Sequence, residues 1–254
     1  MAKRLDGTVA LVTGASSGIG AATARALAAQ GAAVALAARR EERLEQLAQD
    51  ITSSGGHALA LEADVTDKTQ AQAAVARTVA EWRRLDILVN NAGVGLLGSI
   101  EHAPLDDWDQ LVRVNLLGVL YTTHAALPHL LQAAERAPRR VADLVTISSV
   151  AGRIATGGSG VYDATKFGVR AFSESLRQEV TRRHVRVAVV EPGVVATEIF
   201  SHMREEERRQ FLQRFAGVEL LAAHDIADAI SYIVTRPRHV AVNELLIRPT
   251  EEEL

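Results

Sequence analysis

Short apolar segments alternate with helix-length segments along the whole chain, and this alternation constrains the fold more than any other feature. The longer segments are rich in Ala, Leu, Glu, Arg and Gln. Alternation of this kind is typical of parallel strands joined by crossover helices, so we predict an α/β fold with a doubly wound parallel sheet and helices on both faces. The predicted strands are residues 8–13, 33–38, 58–63, 86–90, 144–148, 186–191 and 245–247.

The chain of 254 residues could hold one large domain or two small ones. No Pro-rich or Ser-rich linker divides it, so we predict one domain over residues 1–254. Helices are predicted at 21–30, 107–131 and 160–183. The second of these is apolar on more than one face, which indicates a subunit interface as well as core; full coverage by the sheet and neighbouring helices is the alternative.

The composition excludes several classes of function. The sequence has no cysteine, so disulfides, thiolate metal sites and a cysteine nucleophile are excluded; redox chemistry requires a bound cofactor, and we predict no metal site. The net charge is −3, and Arg136, Arg139 and Arg140 form only a short basic cluster that we interpret as solvated, so we expect no nucleic-acid partner. The N-terminal segment fits neither a signal peptide nor a membrane span, which predicts a cytoplasmic protein without a membrane partner.

A glycine-rich turn follows the first predicted strand and precedes the first predicted helix. Glycines there permit a tight turn, and the helix N-terminus presents backbone amides to a pyrophosphate; a purely structural turn is the alternative. The turn contributes the predicted cofactor-binding residues Gly14, Ser16, Ser17, Gly18, Ile19 and Gly20.

The second predicted strand ends without the acidic residue that usually binds the adenosine ribose of NAD. Arg39 and Arg40 follow Ala38 instead. Guanidinium groups pair with a 2′-phosphate, so these residues favour NADP(H), although they could simply begin a charged helix. Asp64, after the third strand, could bind the adenine amino group, begin a turn or share with Asp67 the capping of the next helix.

Polar side chains with catalytic potential follow the central strands. Tyr162 and Lys166 are four residues apart on a predicted helix, so they share one face, and a nearby cation could bring the phenol pKa from about 10 toward ~7. Ser149 ends a central strand, where a hydroxyl could hold a substrate oxygen. Asn115 interrupts an apolar helix, where a buried amide needs partners.

Together with Asn90, Asn91, Ala92, Gly93, Pro192, Gly193 and Thr197, these residues closely resemble the short-chain dehydrogenase/reductase family over essentially the whole chain. The resemblance implies a Rossmann-like fold with Tyr162 as general acid/base. It implies that Lys166 lowers the tyrosine pKa and binds the nicotinamide ribose, that Ser149 orients the substrate oxygen and that Asn115 holds a water linked to Lys166.

The resemblance also assigns the remaining cofactor contacts. It implies that Asp64 binds adenine, that Asn91 helps to position the ribose and that the Val195 backbone with Thr197 holds the carboxamide. The full set of predicted contacts beyond the glycine turn is Arg39, Arg40, Asp64, Val65, Asn91, Ala92, Gly93, Tyr162, Lys166, Pro192, Gly193, Val195 and Thr197.

Residues 198–218 resemble the mobile lid that covers the substrate in this family, with an apolar inner side formed by Met203, Phe211, Leu212 and Phe215. The C-terminal segment 243–250 resembles the subgroup of NADP-dependent 3-hydroxy acid dehydrogenases and clavulanate-type aldehyde reductases. This predicts a small carbonyl or alcohol substrate and, by family analogy, a homotetramer. The predicted substrate contacts are Val94, Leu96, Leu97, Arg153, Ile154, Val194 and Phe200. The alternative function is an NADP-binding regulator without turnover.

Overall fold

The computed structural model describes residues 4–252, and its centre is a sheet of seven parallel strands. β1 and β6 are buried along their whole length, as expected for strands covered on both faces. The predicted fold class is therefore confirmed. The strands are β1 (Val9–Thr13), β2 (Ala33–Ala38), β3 (His57–Glu62), β4 (Ile87–Asn90), β5 (Ala142–Ile147), β6 (Val185–Pro192) and β7 (Glu244–Ile247).

Eight α-helices are found within residues 4–252. They are α1 (Gly18–Ala29), α2 (Glu41–Ser53), α3 (Lys68–Trp82), α4 (Leu105–Leu111), α5 (Gly118–Ala134), α6 (Gly160–Val180), α7 (Glu205–Gln213) and α8 (Ala223–Val234). Buried residues of α1, α2 and α8 form one apolar layer with the sheet, and those of α3, α5 and α6 form the layer on the opposite face. Each of these six helices thus buries one apolar side against the strands.

The strand order is β3-β2-β1-β4-β5-β6-β7, and it reverses between β1 and β4. In an open parallel sheet, ligands bind at such a reversal, beyond the carboxyl ends of the strands. The glycine turn follows β1, Asn91 follows β4 and Ser149 comes shortly after β5. The topology therefore brings these groups to one edge of the sheet.

The helical stretch predicted at 107–131 is confirmed, although its backbone is not α-helical throughout. The segment consists of α4, a π-helical segment (Val112–Leu117) and α5, which also contains Pro128. A π-helical turn admits an extra residue, and composition carries no sign of it. The strand limits differ from prediction by at most two residues. The first helix begins three residues earlier than predicted, and the helix predicted to reach Arg183 ends at Val180 before a 3₁₀ turn.

The basic cluster near residue 139 is only partly the solvated surface that the sequence suggested. Arg139 is mostly buried and pairs with Asp143, which also pairs with Arg186. Arg186 in turn donates to the carbonyls of Val234 and Val240, so the cluster fixes the end of α8. Within residues 4–252, no helix has the length and apolar character needed to cross a membrane. No cluster of three or more metal-ligating side chains is found in the same range.

Candidate active site

The glycine turn after β1 is held tightly against the end of β4. Gly14 has a φ of +66°, and a Cβ there would lie 2.8 Å from the Ala92 Cα. A Cβ on Gly20 would lie 2.4 Å from the Gly14 carbonyl oxygen, so α1 can approach the turn only with glycine at that position. The Asn91 amide donates to the carbonyls of Thr13 and Gly14, at 2.9 and 3.2 Å. Asn91 therefore braces the turn through which α1 begins.

A cavity of about 1290 Å³ runs along the carboxyl edge of the sheet. Nearly all predicted cofactor-binding and catalytic residues border it. The exceptions are Gly20 and Asn115, which lie behind its wall. The predicted residues that border the cavity are Gly14, Ser16, Ser17, Gly18, Ile19, Arg39, Arg40, Asp64, Val65, Asn91, Ala92, Gly93, Ser149, Tyr162, Lys166, Pro192, Gly193, Val195 and Thr197.

One end of the cavity carries the cationic groups that follow β2. The Arg40 guanidinium donates to the Ser16 hydroxyl at 2.9 Å and to the Ser17 hydroxyl at 2.7 Å, whereas the exposed Arg39 borders the cavity beside it. Asp64 accepts a hydrogen bond from the Thr66 amide at 2.9 Å, which is the turn geometry weighed for it. The cap of α3 comes from Asp67 alone. Asp64 borders the cavity in addition to forming this turn.

Tyr162 and Lys166 lie one turn apart on α6 at the other end of the cavity. Both are nearly buried, at 7% and 4% exposure, and the Lys166 Nζ lies 5.7 Å from the centroid of the tyrosine ring. The Lys166 ammonium donates to the Ile147 carbonyl at 3.0 Å, where β5 ends. The spacing in the sequence therefore brought the phenol and the ammonium together as expected.

The pKa values of this pair differ from the expected direction. Burial raises the pKa of the Tyr162 phenol to about 12, against the opposing effect of a hydrogen bond with Ser149. Burial also lowers the pKa of Lys166 to about 8. The expected fall of the tyrosine pKa toward neutrality is therefore not met, because desolvation disfavours both charged forms and the charge of Asp163 raises the phenol pKa further. At neutral pH the phenol carries its proton.

Ser149 connects the phenol to the turn that follows β6. Its hydroxyl hydrogen-bonds with Tyr162, accepts from the Ala151 amide at 3.1 Å and lies 3.5 Å from the Pro192 carbonyl oxygen. The turn at Pro192 and Gly193 therefore lies beside the Ser149 hydroxyl.

Asn115 projects from the π-helical segment into the protein interior. Its side-chain oxygen accepts from the Val94 amide at 2.9 Å, and its amide donates to the Val94 carbonyl at 3.0 Å. A Cβ on Gly93 would lie 3.4 Å from the Asn115 oxygen and 3.8 Å from the Lys166 Nζ, so only Gly93 separates the two side chains. Asn115 thus has the partners that a buried amide needs, and it fixes the chain after β4.

The predicted substrate contacts divide into two groups. Val94, Leu97, Ile154, Val194 and Phe200 border the cavity. Leu96 is buried in a small apolar cluster with Leu111 and Tyr162, outside the cavity wall.

Arg153 was predicted as a substrate contact, but it does not border the cavity. It pairs with Glu191 at 2.6 Å and with Glu244, and these two carboxylates already take its guanidinium.

Of the four residues predicted to form the inner side of the lid, only two border the cavity. Phe211 and Phe215 border the cavity and stack in series with Phe200, with ring centroids 4.4 Å (Phe200 to Phe211) and 5.2 Å (Phe211 to Phe215) apart. Leu212 is exposed and Met203 is buried, and neither contributes to the cavity wall. The cavity side of residues 198–218 therefore combines aromatic rings with polar side chains such as Gln210 and Arg214.

Comparison with known proteins settles the family. The family model described as short chain dehydrogenase matches residues 8–208. The chain belongs to the short-chain dehydrogenase/reductase family. It is 40% identical over 250 residues to the glycine betaine reductase of Emericella nidulans. The matched segment covers 98% of this chain but only 19% of that much longer protein. It is 34% identical to an uncharacterized oxidoreductase of Staphylococcus saprophyticus, over 97% of both chains.

Solved structures agree with this assignment. A serine dehydrogenase complexed with NADP⁺ has a TM-score of 0.88 and 31% identity over 97% of both chains. A short-chain dehydrogenase/reductase from Burkholderia phymatum in complex with NAD has a TM-score of 0.85 and 26% identity, covering 96% of this chain and 89% of that one. As a member of this family, the protein is an oxidoreductase that acts on CH-OH groups with a nicotinamide cofactor.

The residues of this short-chain dehydrogenase/reductase fit a nicotinamide dinucleotide. The α1 N-terminus and its glycine turn border the cavity between a cationic end at Arg40 and a buried Tyr162–Lys166 pair. Backbone amides at a helix N-terminus suit a pyrophosphate. The cavity is long enough to join these ends, because its wall continues from the end of β2 to α6.

Sequence reasoning missed three acidic residues at this site. Glu198 pairs with Arg40, Glu252 accepts from the Val194 amide at 3.0 Å, and Asp163 accepts from the Thr156 amide and the Ser159 hydroxyl, both at 2.8 Å. Glu198 and Arg40 are 158 positions apart, so no local pattern could have joined them. Asp163 follows Tyr162 directly, and its position inside a helix next to the catalytic phenol was the available signal.

Proposed function

We propose that this protein is an NADP(H)-dependent reductase of small carbonyl compounds, working reversibly on the corresponding alcohols, with Tyr162 as general acid/base. One observation carries the proposal: a protonated, buried phenol is hydrogen-bonded to Ser149 and lies one helical turn from a buried ammonium, at the wall of the cavity. The serine and the lysine beside this phenol are the kinds of group that proton transfer to a carbonyl oxygen would use.

In the reductive direction, Tyr162 donates its proton to the carbonyl oxygen while Ser149 donates a hydrogen bond to the same atom. NADPH, when bound, supplies the hydride. Lys166 stabilises the phenolate that remains, because its ammonium lies on the same helical face. Asn115 acts indirectly by fixing the Val94 backbone beside Gly93 and Lys166. In the oxidative direction, the phenolate takes the alcohol proton.

The preference for NADP(H) rests on this chain's own residues, because its family includes structures with NADP and with NAD. Ala38 ends β2 without a carboxylate, and Arg39 and Arg40 follow it at the cavity wall. Charge-assisted hydrogen bonds to a phosphate contribute on the order of 1.5–3 kcal/mol, which corresponds to roughly a ten- to hundredfold preference.

The substrate we propose is small and polar, as in the 3-hydroxy acid dehydrogenase and aldehyde reductase subgroup. Similarity to a serine dehydrogenase supports this class, since serine is a 3-hydroxy acid. Residues 198–218 form the lid, and its cavity side carries the rings of Phe200, Phe211 and Phe215 beside polar side chains. We further propose a homotetramer. The cytoplasmic location stays a prediction of the sequence.

The test is steady-state oxidation of NADPH and of NADH with a panel of aldehydes, ketones and 3-oxo acids, with serine as a substrate for the reverse reaction. The panel includes an aldehyde with a quaternary ammonium group, because glycine betaine carries one and a glycine betaine reductase is a relative. We expect kcat/KM to be about ten to a hundred times higher with NADPH.

Tyr162→Phe should lower turnover by roughly two to four orders of magnitude and leave NADPH binding intact, because only the proton donor is lost. Tyr232→Phe is the matched control, since that tyrosine is exposed on α8. Near-normal turnover by Tyr162→Phe would reject the mechanism. NADPH binding without turnover of any carbonyl would favour the regulator instead.

A further inference from the structure

The first residues of the lid lie against the N-terminus of α1. Glu198 begins a 3₁₀ turn (Glu198–Phe200), and the residue before it, Thr197, has its Cγ2 only 3.2 Å from the place where a Cβ on Gly18 would stand. The Glu198 carboxylate therefore reaches the groups at the end of β2. It borders the same cavity as Ser16 and Arg40.

Glu198 forms ion pairs with two arginines there. One carboxylate oxygen lies 2.8 Å from Arg40 Nη1, and Arg43 Nη1 lies 2.9 and 3.1 Å from the two oxygens. Hydrogen bonds from Arg40 and Arg43 lower the pKa of Glu198 to about 2, so the carboxylate is ionised at neutral pH. The remaining donors of Arg40 point to the hydroxyls of Ser16 and Ser17. The Glu198 carboxylate, the two guanidinium groups and the two serine hydroxyls together form one hydrogen-bonded cluster.

We propose that Glu198 is a specificity-determining residue, an internal carboxylate that competes with the cofactor 2′-phosphate for Arg40. The inference rests on the proposed function, which gives the guanidinium groups after β2 to that phosphate. A carboxylate and a phosphate at the same guanidinium repel each other, so the phosphate displaces Glu198.

Two consequences follow from the competition. The 2′-phosphate binds less tightly than the guanidinium groups alone would allow, because it must first replace a carboxylate already held nearby by the chain. Displacement also frees the start of the lid, since Glu198 is the residue that ties it to α2. All three side chains are about half exposed, so the ion pairs are weak enough to exchange with a ligand.

The test compares binding of 2′,5′-ADP and 5′-AMP, which differ in the 2′-phosphate, by titration calorimetry with the full chain. Glu198→Gln should bind 2′,5′-ADP about threefold to tenfold more tightly than the parent, the range for loss of two exposed competing ion pairs, while affinity for 5′-AMP stays unchanged. Glu206→Gln is the control, because it removes an exposed carboxylate of the same lid that pairs with Arg209. Unchanged or weaker binding of 2′,5′-ADP by Glu198→Gln would overturn the proposal.

Arg40→Ala separates this inference from the function on which it rests. If the parent prefers 2′,5′-ADP and Arg40→Ala loses the preference, the phosphate site stands, and Glu198→Gln alone decides the role of the carboxylate. If the parent binds both nucleotides equally, the phosphate site of the proposed function is rejected, and the role of Glu198 with it.

Release of the lid has its own readout in hydrogen exchange. The Ser201 amide donates to the Glu198 carbonyl at 2.9 Å. In the parent, this amide should exchange faster with saturating 2′,5′-ADP than with 5′-AMP, because only the first displaces Glu198. In Glu198→Gln the two nucleotides should give the same rate. Equal exchange in the parent would reject the link between the phosphate and the lid.

Discussion

Lys166 shows how burial and charge compete at a single residue. The four-residue spacing correctly predicted that its ammonium shares a face with Tyr162. The spacing contains no information about desolvation, which lowers the lysine pKa to about 8 and raises the tyrosine pKa to about 12. In the folded protein, the phenol therefore keeps its proton at neutral pH, and burial makes the charged form of the lysine unfavourable. Function, rather than stability, explains a charged lysine at 4% exposure.

Lys166→Met should stabilise the fold while abolishing turnover. The pKa of Lys166 is about 8 in the folded chain and has an ordinary value of 10.5, so the folded state binds the proton less well than the unfolded state. Stability attributable to this residue is full above pH 10.5 and is lost as the pH falls through 8. At pH 6.5 we expect the variant to gain about 1–3 kcal/mol in free energy of unfolding, after loss of the hydrogen bond to Ile147.

Urea unfolding at pH 6.5 and again at pH 10.5 measures this effect. The gain should largely disappear at the higher pH, where the parent lysine is neutral in the folded chain and only half protonated in the unfolded chain. Lys68→Met, at an exposed position on α3, is the control and should change stability little at either pH. A variant that is equally or less stable than the parent at pH 6.5 would contradict the burial cost.

At the scale of elements, the carboxyl end of β6 is joined to three other segments by one buried carboxylate. Glu191 is fully buried and contacts Arg153, in the turn after Ser149, and Arg170, on α6. Both arginines also reach Glu244 on β7, Arg170 at 3.1 Å. This charge network holds the turn of Ser149, the helix of Tyr162 and the strand before Pro192 in one arrangement. The same network explains why the Arg153 side chain does not border the cavity, although it follows the turn of Ser149.

Glu191→Gln should destabilise the fold by about 2–4 kcal/mol, because it leaves two guanidinium groups without their buried carboxylate. Glu244→Gln removes a half-exposed carboxylate from the same network and should cost only about 0–1 kcal/mol. Thermal and urea unfolding of the two variants side by side provide the measurement. Equal losses would mean that the network acts as a solvated surface cluster.

The elements also show what the sequence can and cannot predict. The strands were located to within two residues because burial on both faces leaves a continuous apolar run, as in β1 and β6. The π-helical segment was missed because its backbone differs from an α-helix without a change in composition. Asn115 in that segment was nevertheless identified, since a buried amide among apolar residues stands out. The contacts of Glu198 and Glu252 were beyond reach, because they depend on how distant segments fold together.

At the scale of the whole molecule, the apolar side chains of residues 4–252 that remain exposed outside the cavity include two groups besides Ile100 and Leu212. Leu105, Val112 and Phe167 lie on the helical layer that contains α4 and α6, and Tyr232 and Leu246 lie on α8 and β7 at the end of the sheet. The two groups belong to different elements on the chain. If each group packs against its own copy across a two-fold axis, the two kinds of interface together form a tetramer.

We therefore expect the protein to sediment as a tetramer at micromolar concentration. Phe167→Glu should produce dimers, because a carboxylate in the middle of the helical patch must be desolvated on association, whereas the patch of Tyr232 and Leu246 is left intact. Leu212→Glu is the matched control: this leucine is equally exposed but lies on the lid helix α7, and its replacement should leave the tetramer unchanged. Sedimentation velocity of the three proteins decides the matter, and a monomeric parent would show that the apolar helical layer is covered within one chain.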